Sequence, residues 1–133
     1  MSPKNLNVSI KTHKFLLNKL KDKKIFQIYN KFEKDLELNE EFIVAVSGGP
    51  DSLALSYLAK IYSIKKSIKV KYFIVDHKLR KNSTNEARFV KRLLQKLDSN
   101  LKILTWNGKK PKANIQSVAR GKRYTLLINQ AKN

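Results

Sequence analysis

The segment from Phe42 to Ser52 constrains this chain most, because a short apolar run leads directly into a turn rich in glycine and hydroxyl side chains. Phe42–Val46 is too short for a globular helix and rich in Ile and Val, so it predicts a strand that is buried on both faces. Ser47–Ser52 then turns the chain. Such a turn brings backbone N–H groups to the edge of a sheet, which favours an anion site.

The turn has the residue types that a close anion contact needs. Gly48 and Gly49 allow positive φ and place no Cβ in front of the backbone amides. Pro50 has a φ that suits the first turn of a helix. Helical spacing over residues 51–62 predicts that helix, so its N-terminal amides and the positive end of its dipole would point into the turn.

This turn lacks the lysine of a Walker A loop and the glycine pattern of the dinucleotide fold. Its Ser-Gly-Gly-Pro-Asp-Ser sequence resembles the signature Ser-Gly-Gly-x-Asp-Ser of the PP-loop ATP pyrophosphatases. The resemblance implies that Ser47, Gly48, Gly49, Pro50 and Ser52 hold the β,γ-pyrophosphate of ATP through amides and hydroxyls. The alternative is an ordinary Gly-Pro turn between a core strand and a core helix.

Composition limits the class of protein. At 133 residues without cysteine, the chain predicts one domain with neither disulfides nor a cysteine-ligated metal site. It has no long apolar segment and no apolar signal-peptide core, so we expect a cytoplasmic protein that does not enter a membrane. The net charge of +19 favours a polyanion such as RNA, although a lysine-rich coat from an AT-rich genome is the alternative.

Apolar spacing predicts an α/β protein with a parallel sheet and flanking helices. The resemblance implies that the sheet is Rossmann-like, of the PP-loop type, and truncated before its later strands. Residues 1–11 predict a mobile basic arm, and the resemblance implies that residues 12–133 are an incomplete PP-loop ATPase domain that begins with a helical segment. The expected elements are helices over 12–38 with a break near 22–24, strands over 42–46, 70–75 and 101–106, and helices over 51–62, 85–97 and 115–131. Thr84 or Ser83 would cap the helix that starts at 85, and Asn114 the last one.

Two further blocks narrow the resemblance. Val75-Asp-His-Lys-Leu-Arg80, followed by Ser83, Glu86 and Ala87, is similar to a segment of the tRNA(Ile)-lysidine synthetase family. The block from Asn114 to Tyr124 is similar to that family's Gln…Ala-Arg-x-x-Arg-Tyr helix. The first block is common to the superfamily, whereas these two point to this family.

The resemblance assigns roles to individual residues. Asp51 would be catalytic and would bind Mg²⁺, with favourable charge in a first helical turn as the alternative. Asp76 and His77 would lie beside the adenosine, where a structural role for the histidine is equally open. Arg80 and Arg123 are candidates for substrate or RNA contact, and Arg120 for a catalytic contact with phosphate. Ion pairs or solvation are the alternatives for all three arginines.

The implied reaction uses ATP, free L-lysine and an isoleucine tRNA with a CAU anticodon. ATP would adenylate O2 of the wobble cytidine, and the ε-amine of lysine would then displace AMP to give lysidine. A homodimer remains open as a hypothesis.

The chain departs from the family in one respect. It contains no His-x-x-Asp-Asp-x-x-Glu-Thr segment, so the acids expected to handle lysine are not visible. We therefore expect a truncated gene product or a piece of a longer protein that is a poor catalyst or none by itself. Two alternatives stay open: another adenylating PP-loop enzyme, such as a tRNA thiolase or an amide-forming synthetase, and an inactive basic module that binds RNA.

Overall fold

Three parallel strands form a sheet in the order β1-β2-β3 in the computed structural model, which describes residues 3–108 and 115–131. β1 (Phe42–Val46) pairs with β2 (Val70–Asp76), and β2 pairs with β3 (Leu101–Thr105). The predicted parallel α/β architecture is confirmed, because each strand is followed along the chain by a helix.

The described residues include five α-helices. They are α1 (Pro3–Asn18), α2 (Lys23–Leu36), α3 (Pro50–Lys66), α4 (Ser83–Gln95) and α5 (Ile115–Ala131). The bounds of α5 agree with the prediction, while α3 runs further than expected and α4 starts and ends two residues earlier. Asn114, the expected cap of α5, lies outside the described residues.

The N-terminal segment differs from its prediction in secondary structure. We expected residues 1–11 to form an arm without helical periodicity, whereas α1 begins at Pro3. A helix gains one hydrogen bond for each residue added once its first turn exists, so α1 can extend backward from its packed C-terminal half. Mobility of this segment stays a prediction.

The predicted break between the first two helices is confirmed. A short 3-10 helix (Lys19–Lys21) ends α1, and the chain is extended at Asp22. The Asp22 carboxylate accepts hydrogen bonds from the backbone N–H groups of Lys24 and Ile25, at 2.9 and 3.1 Å. This N-cap starts α2 in a new direction and contributes about 1 kcal/mol.

The main core lies between one face of the sheet and the two helices α3 and α4. Its buried side chains come from all three strands and both helices: Val44, Val46, Ala59, Tyr72, Ile74, Ala87, Val90, Leu94 and Leu101. Burying a large side chain of this kind stabilises the fold by about 2 kcal/mol. The core therefore holds the start of α4 against the carboxyl ends of β1 and β2.

A second cluster attaches the N-terminal helices to the rest of the protein. Leu16 of α1 and Tyr29 of α2 pack against Ile61 and Tyr62 of α3, and all four are buried. The Tyr62 hydroxyl donates a 2.6 Å hydrogen bond to the carbonyl of Leu38, just before β1. α1 and α2 thus pack against α3, whereas their apolar spacing had been expected to place them on the sheet.

The prediction that β1 is covered on both faces is wrong in part. Val44 and Val46 are buried, but Ala45 is exposed and Phe42 and Ile43 are only half-buried. β1 is an edge strand of the described sheet, so its second face has less cover than a central strand would have.

Within the described residues, no helix is both long enough and apolar enough to span a bilayer.

Candidate nucleotide-binding site

The turn between β1 and α3 lies at the carboxyl end of β1 and opens directly into a helix N-terminus. Gly48 has φ of +90°, a conformation that side chains rarely adopt, so a glycine is required there. Gly49 has φ of −73° and ψ of 164°, so the expectation of positive φ holds for Gly48 only. Gly49 is the N-cap of α3 and Pro50 occupies its first turn, as predicted.

Amides of this turn converge on one hydroxyl oxygen. The N–H groups of Ser47 and Gly48 donate to Ser52 Oγ at 3.0 and 3.1 Å. The Ser47 hydroxyl also lies 3.0 Å from Ser52 Oγ, and the Ser52 hydroxyl donates to the carbonyl of Gly49 at 3.2 Å. Donors that meet at one oxygen in a half-exposed turn are suited to a phosphate oxygen, which accepts such bonds more strongly because it is charged.

α4 approaches this turn closely. A Cβ placed on Gly48 would lie 3.1 Å from Val90 Cγ2. Val90 is buried in the main core, so this methyl group has little room to move. Gly48 is therefore required both for its backbone conformation and for the contact between α4 and the turn Ser47–Ser52, which we call the phosphate loop after its predicted role.

Asp51 is exposed in the first turn of α3, beside the loop. Among residues 3–108 and 115–131, no group of three or more His, Cys, Asp and Glu side chains could hold a metal ion alone. A single carboxylate nevertheless fits Mg²⁺, which commonly takes one or two protein carboxylates and completes its shell with phosphate and water oxygens. Asp51 would supply that carboxylate.

Asp76 ends β2 with a carboxylate that is buried and fully engaged. Ser83 Oγ and Thr84 Oγ1 donate to it at 2.7 and 2.6 Å, and the Lys78 N–H donates at 3.1 Å. Lys78 Nζ lies 3.5 Å from the same carboxylate. The prediction that Ser83 or Thr84 caps α4 is wrong, because both hydroxyls bind Asp76, and Asn82 is the N-cap residue instead.

These donors also determine the charge of Asp76. Burial by itself opposes ionisation of the carboxyl group, but the hydrogen bonds from Thr84, Ser83 and Lys78 outweigh burial and lower the pKa of Asp76 to about 2. Asp76 thus remains charged at neutral pH and ties the end of β2 to the start of α4. Direct contact of Asp76 with a nucleotide stays a prediction.

His77 and Arg80 follow Asp76 and face the same cavity as the phosphate loop. The His77 side chain is half-buried, and its Nδ1 accepts a 3.1 Å hydrogen bond from the N–H of Leu79. This leaves Nε2 as the nitrogen carrying the proton when the ring is neutral. The Arg80 guanidinium is exposed and lies 2.6 Å from Glu86.

The two arginines of the last helix are less fully described. Arg120 is exposed on α5, and α5 packs near β2. The side chain of Arg123 lies outside the described residues. Contact of either arginine with phosphate therefore stays a prediction.

A cavity of about 530 Å³ opens beside the phosphate loop, within the range of roughly 300–1,000 Å³ that small-molecule ligands occupy. Its walls come from the carboxyl ends of β1 and β2, the segment after β2, and α4. Of the predicted site residues, Ser47, Gly48, His77 and Arg80 line it. Asp51, Ser52 and Asp76 do not line it, although Ser52 and Asp76 bind residues that do.

Four polar or aromatic residues of α4 also line the cavity and were not predicted as site residues: Ser83, Asn85, Glu86 and Phe89. Phe89 is 55% exposed, although it is a large apolar side chain. The apolar face of α4 is formed by Ala87, Val90 and Leu94, and Phe89 lies outside it. Helical spacing in the sequence could have shown this position. Large apolar residues outside the core-facing side of a helix often mark a binding surface.

Comparison with known proteins identifies the family. The PP-loop domain family matches residues 17–133, which is most of the chain. This chain belongs to the PP-loop family. The matched range includes Ser47–Ser52, the turn between β1 and α3.

Several curated PP-loop relatives carry the name tRNA(Ile)-lysidine synthase. The chain is 48% identical over 92 residues to the protein of Rhodopseudomonas palustris, covering 68% of this chain and 27% of that protein. It is 40% identical over 101 residues to the protein of Bradyrhizobium diazoefficiens, covering 74% and 28%. It is 35% identical over 108 residues to the protein of Rickettsia akari, covering 77% and 25%. The chain thus spans about a quarter of the length of these relatives.

Proposed function

We propose that this chain is the nucleotide-binding part of a tRNA(Ile)-lysidine synthase, a ligase that joins lysine to the wobble cytidine of an isoleucine tRNA with a CAU anticodon. The observation that carries the proposal is the phosphate loop. Its amides meet at Ser52 Oγ beside the N-terminus of α3, in a chain similar to enzymes of that name.

The proposed reaction has two balanced steps. In the first, O2 of the cytidine forms a bond to the α-phosphorus of ATP, and the bond from that phosphorus to the bridging oxygen of the β-phosphate breaks, releasing pyrophosphate. In the second, the ε-amine of lysine bonds to C2 of the base, the bond from C2 to the phosphate oxygen breaks, and AMP leaves. The amine loses a proton in this step, so a base must accept it.

The phosphate loop would bind the departing pyrophosphate. The N–H groups of Ser47 and Gly48, now bonded to Ser52 Oγ, would donate to β- and γ-phosphate oxygens instead. The α3 N-terminus at Gly49 and Pro50 would add the positive end of its dipole. Asp51 would hold Mg²⁺ against the phosphates, and this ion would neutralise part of their charge.

The segment after β2 would bind the rest of the nucleotide. His77, with its Nε2–H donor, lines the cavity at the end of β2 and could contact the adenosine. Arg80 would take a phosphate group through its planar fork of N–H groups. Asp76, if it does not contact the nucleotide, would still hold both residues in position through Ser83 and Thr84.

The tRNA would be attracted by charge. A net charge of +19 is large enough to bring a polyanion to the surface at long range, and Arg120 and Arg123 are candidates for contact with phosphate. The same charge supports a second candidate function, a basic module that binds RNA without catalysis. The two functions differ in whether ATP binds.

Isothermal titration calorimetry of this chain with ATP and Mg²⁺ tests the proposal. We expect saturable binding that is lost in Gly48→Val, because the branched side chain would meet both Val90 and the phosphate. Circular dichroism checks that the variant is folded. RNA binding that weakens with salt while ATP does not bind to the parent chain would favour the noncatalytic RNA-binding module.

A second measurement tests the reaction itself. Pyrophosphate release that requires ATP, lysine and isoleucine tRNA together would support a lysidine synthase, and release without lysine or with a different amine would favour another adenylating PP-loop enzyme. We expect weak or no turnover with this chain alone, since the acids that would handle lysine are not among its motifs. The assay should therefore be repeated in a full-length relative with the same loop substitution.

A further inference from the structure

Two residues of opposite charge contact each other at the wall of the candidate nucleotide cavity. Arg80 Nη2 and Glu86 Oε2 are 2.6 Å apart, and both side chains line the cavity together with Ser47 and Gly48. Among the described residues lining it, Arg80 is the sole Arg or Lys and Glu86 the sole carboxylate. The cation that would bind phosphate is thus held by a carboxylate in the ligand-free protein.

The backbone of both residues is anchored, so the pair differs from two mobile surface side chains. The Arg80 carbonyl accepts a 3.2 Å hydrogen bond from the N–H of Ser83, and the Glu86 N–H donates at 2.9 Å to the carbonyl of Asn82. Ser83 is further fixed by its hydroxyl bond to Asp76. The two side chains can still change partner, because 65% of Arg80 and 52% of Glu86 is exposed.

A guanidinium binds carboxylate and phosphate with the same fork of N–H groups, so one side of Arg80 cannot serve both. A phosphate group with two negative charges competes better than a carboxylate with one. Since both side chains are more than half exposed, their pairing contributes little to stability and can be displaced. Displacement would leave Arg80 on the phosphate and Glu86 in the cavity without its cation.

We propose that Glu86 sets the affinity of the nucleotide site for phosphate ligands: it holds Arg80 in the ligand-free protein, so that a phosphate group must displace its carboxylate to take the guanidinium. This inference rests on the proposed function, because it assumes that nucleotide enters this cavity. It predicts that Glu86 weakens all phosphate ligands and that this penalty acts through Arg80. Adenosine has no phosphate group to take the guanidinium, so Glu86 should not affect its binding.

A double-mutant cycle tests this proposal by calorimetry with ATP, with inorganic pyrophosphate and with adenosine, at low ionic strength. The proteins are the parent chain, Glu86→Gln, Arg80→Gln and the double variant. We expect Glu86→Gln to tighten ATP and pyrophosphate roughly two- to fivefold, as the loss of an exposed competing ion pair allows. Arg80→Gln should weaken both ligands about tenfold, since it removes a charged hydrogen bond to phosphate.

The decisive comparison is the effect of Glu86→Gln when Arg80 is already absent. We expect that gain to fall below about twofold, which is what removal of general charge repulsion alone would give at an exposed site. An equal gain in both backgrounds would show that Glu86 acts only through general repulsion and would overturn the proposal. So would a tightening of adenosine binding by the same factor as pyrophosphate binding.

Glu41→Gln is the matched control. Glu41 forms a 2.9 Å exposed pair with Lys71 at the start of the strands, at the opposite edge of the sheet from the cavity. Its substitution removes the same charge and should leave ATP affinity unchanged. If the parent chain binds ATP and the cycle shows no coupling, only this inference fails. If the parent binds neither ATP nor pyrophosphate, the proposed function fails as well.

Discussion

The loops that follow β1 and β2 lie at the same edge of the sheet, but different hydrogen bonds stabilise them. The Ser47–Ser52 loop bonds its amides to its own serine hydroxyl, in a half-exposed turn. The loop after β2 is braced by the buried carboxylate of Asp76, which three donors from two elements hold in place. The first arrangement leaves donors that a ligand can take over, whereas the second supplies rigidity.

This difference separates two kinds of polar residue that look alike in the sequence. Asp51 and Asp76 both lie where a strand gives way to the next segment, and both were predicted to contact the nucleotide or its metal ion. Asp51 is exposed, so its charge is available to a ligand. The carboxylate of Asp76 is 1% exposed and is committed to the protein. Burial thus separates a carboxylate that is open to a ligand from one that the protein itself engages.

The largest expected effect comes from removing the Asp76 carboxylate. Asp76→Ala leaves the hydroxyls of Ser83 and Thr84 and the N–H of Lys78 without their acceptor in a buried place, so we expect a loss of about 3 kcal/mol in the free energy of unfolding. Urea denaturation measures this loss. Asp51→Ala is the control, with a change below about 0.5 kcal/mol. Equal stability of the two variants would remove the contrast between the loops.

Acid should weaken the same interactions, because it protonates the Asp76 carboxylate. The folded-state pKa of Asp76 is lowered to about 2 from 3.8, so its charge stabilises the fold above pH 4 and this contribution disappears as the pH falls from about 4 to 2. The expected contribution is about 2 kcal/mol, from the size of that shift. Unfolding measured across this range should show a shallower pH dependence in Asp76→Asn than in the parent. An unchanged slope would contradict the assignment.

The phosphate loop should be sensitive at one glycine and tolerant at the next. Gly48→Ala places a Cβ at φ of +90° and 3.1 Å from Val90, so we expect a loss of roughly 1–2 kcal/mol in stability together with weaker ATP binding. Gly49→Ala meets Ser47 Oγ only at 3.6 Å with ordinary backbone angles, so its stability should change by less than about 1 kcal/mol. Equal losses at both positions would contradict the loop geometry.

The smallest expected effect lies at Asp51 and concerns binding rather than folding. Asp51→Ala should weaken ATP about tenfold when Mg²⁺ is present, because one carboxylate ligand of the ion is lost. The difference should vanish when a chelator removes Mg²⁺. Calorimetry with and without chelator measures both. A defect of the same size in the two conditions would assign Asp51 a role other than holding the metal ion.

Much of this architecture could be predicted from the chain because its signals are local. Val70–Asp76 is a strand for the same reason that Phe42–Val46 is one: apolar residues fill a short run that ends in polar turn residues. The turn at Ser47–Ser52 could be predicted because adjacent residues determine both its backbone conformation and the start of α3. The break near residues 22–24 was also predicted, and the structure adds that Asp22 is the N-cap of α2.

Features that depend on distant contacts were not visible. The hydroxyls of Ser83 and Thr84 resemble helix caps in the sequence, and only the return of α4 to the end of β2 gives them Asp76 as an acceptor. Likewise, Gly48 and Gly49 have equal freedom as isolated residues, and the contact with Val90 separates them. The contact between Glu86 and Arg80 was also found only in the structure.

The central claim is that the amides of the Ser47–Ser52 loop bind the phosphates of ATP. The most direct measurement is a titration of the isotope-labelled chain with a nonhydrolysable ATP analogue and Mg²⁺, followed through backbone amide chemical shifts. The account predicts that the amides of Ser47, Gly48 and Gly49 shift most and saturate with the calorimetric affinity. Saturable binding in which these amides stay unmoved, while shifts cluster on α1 and α2, would contradict it.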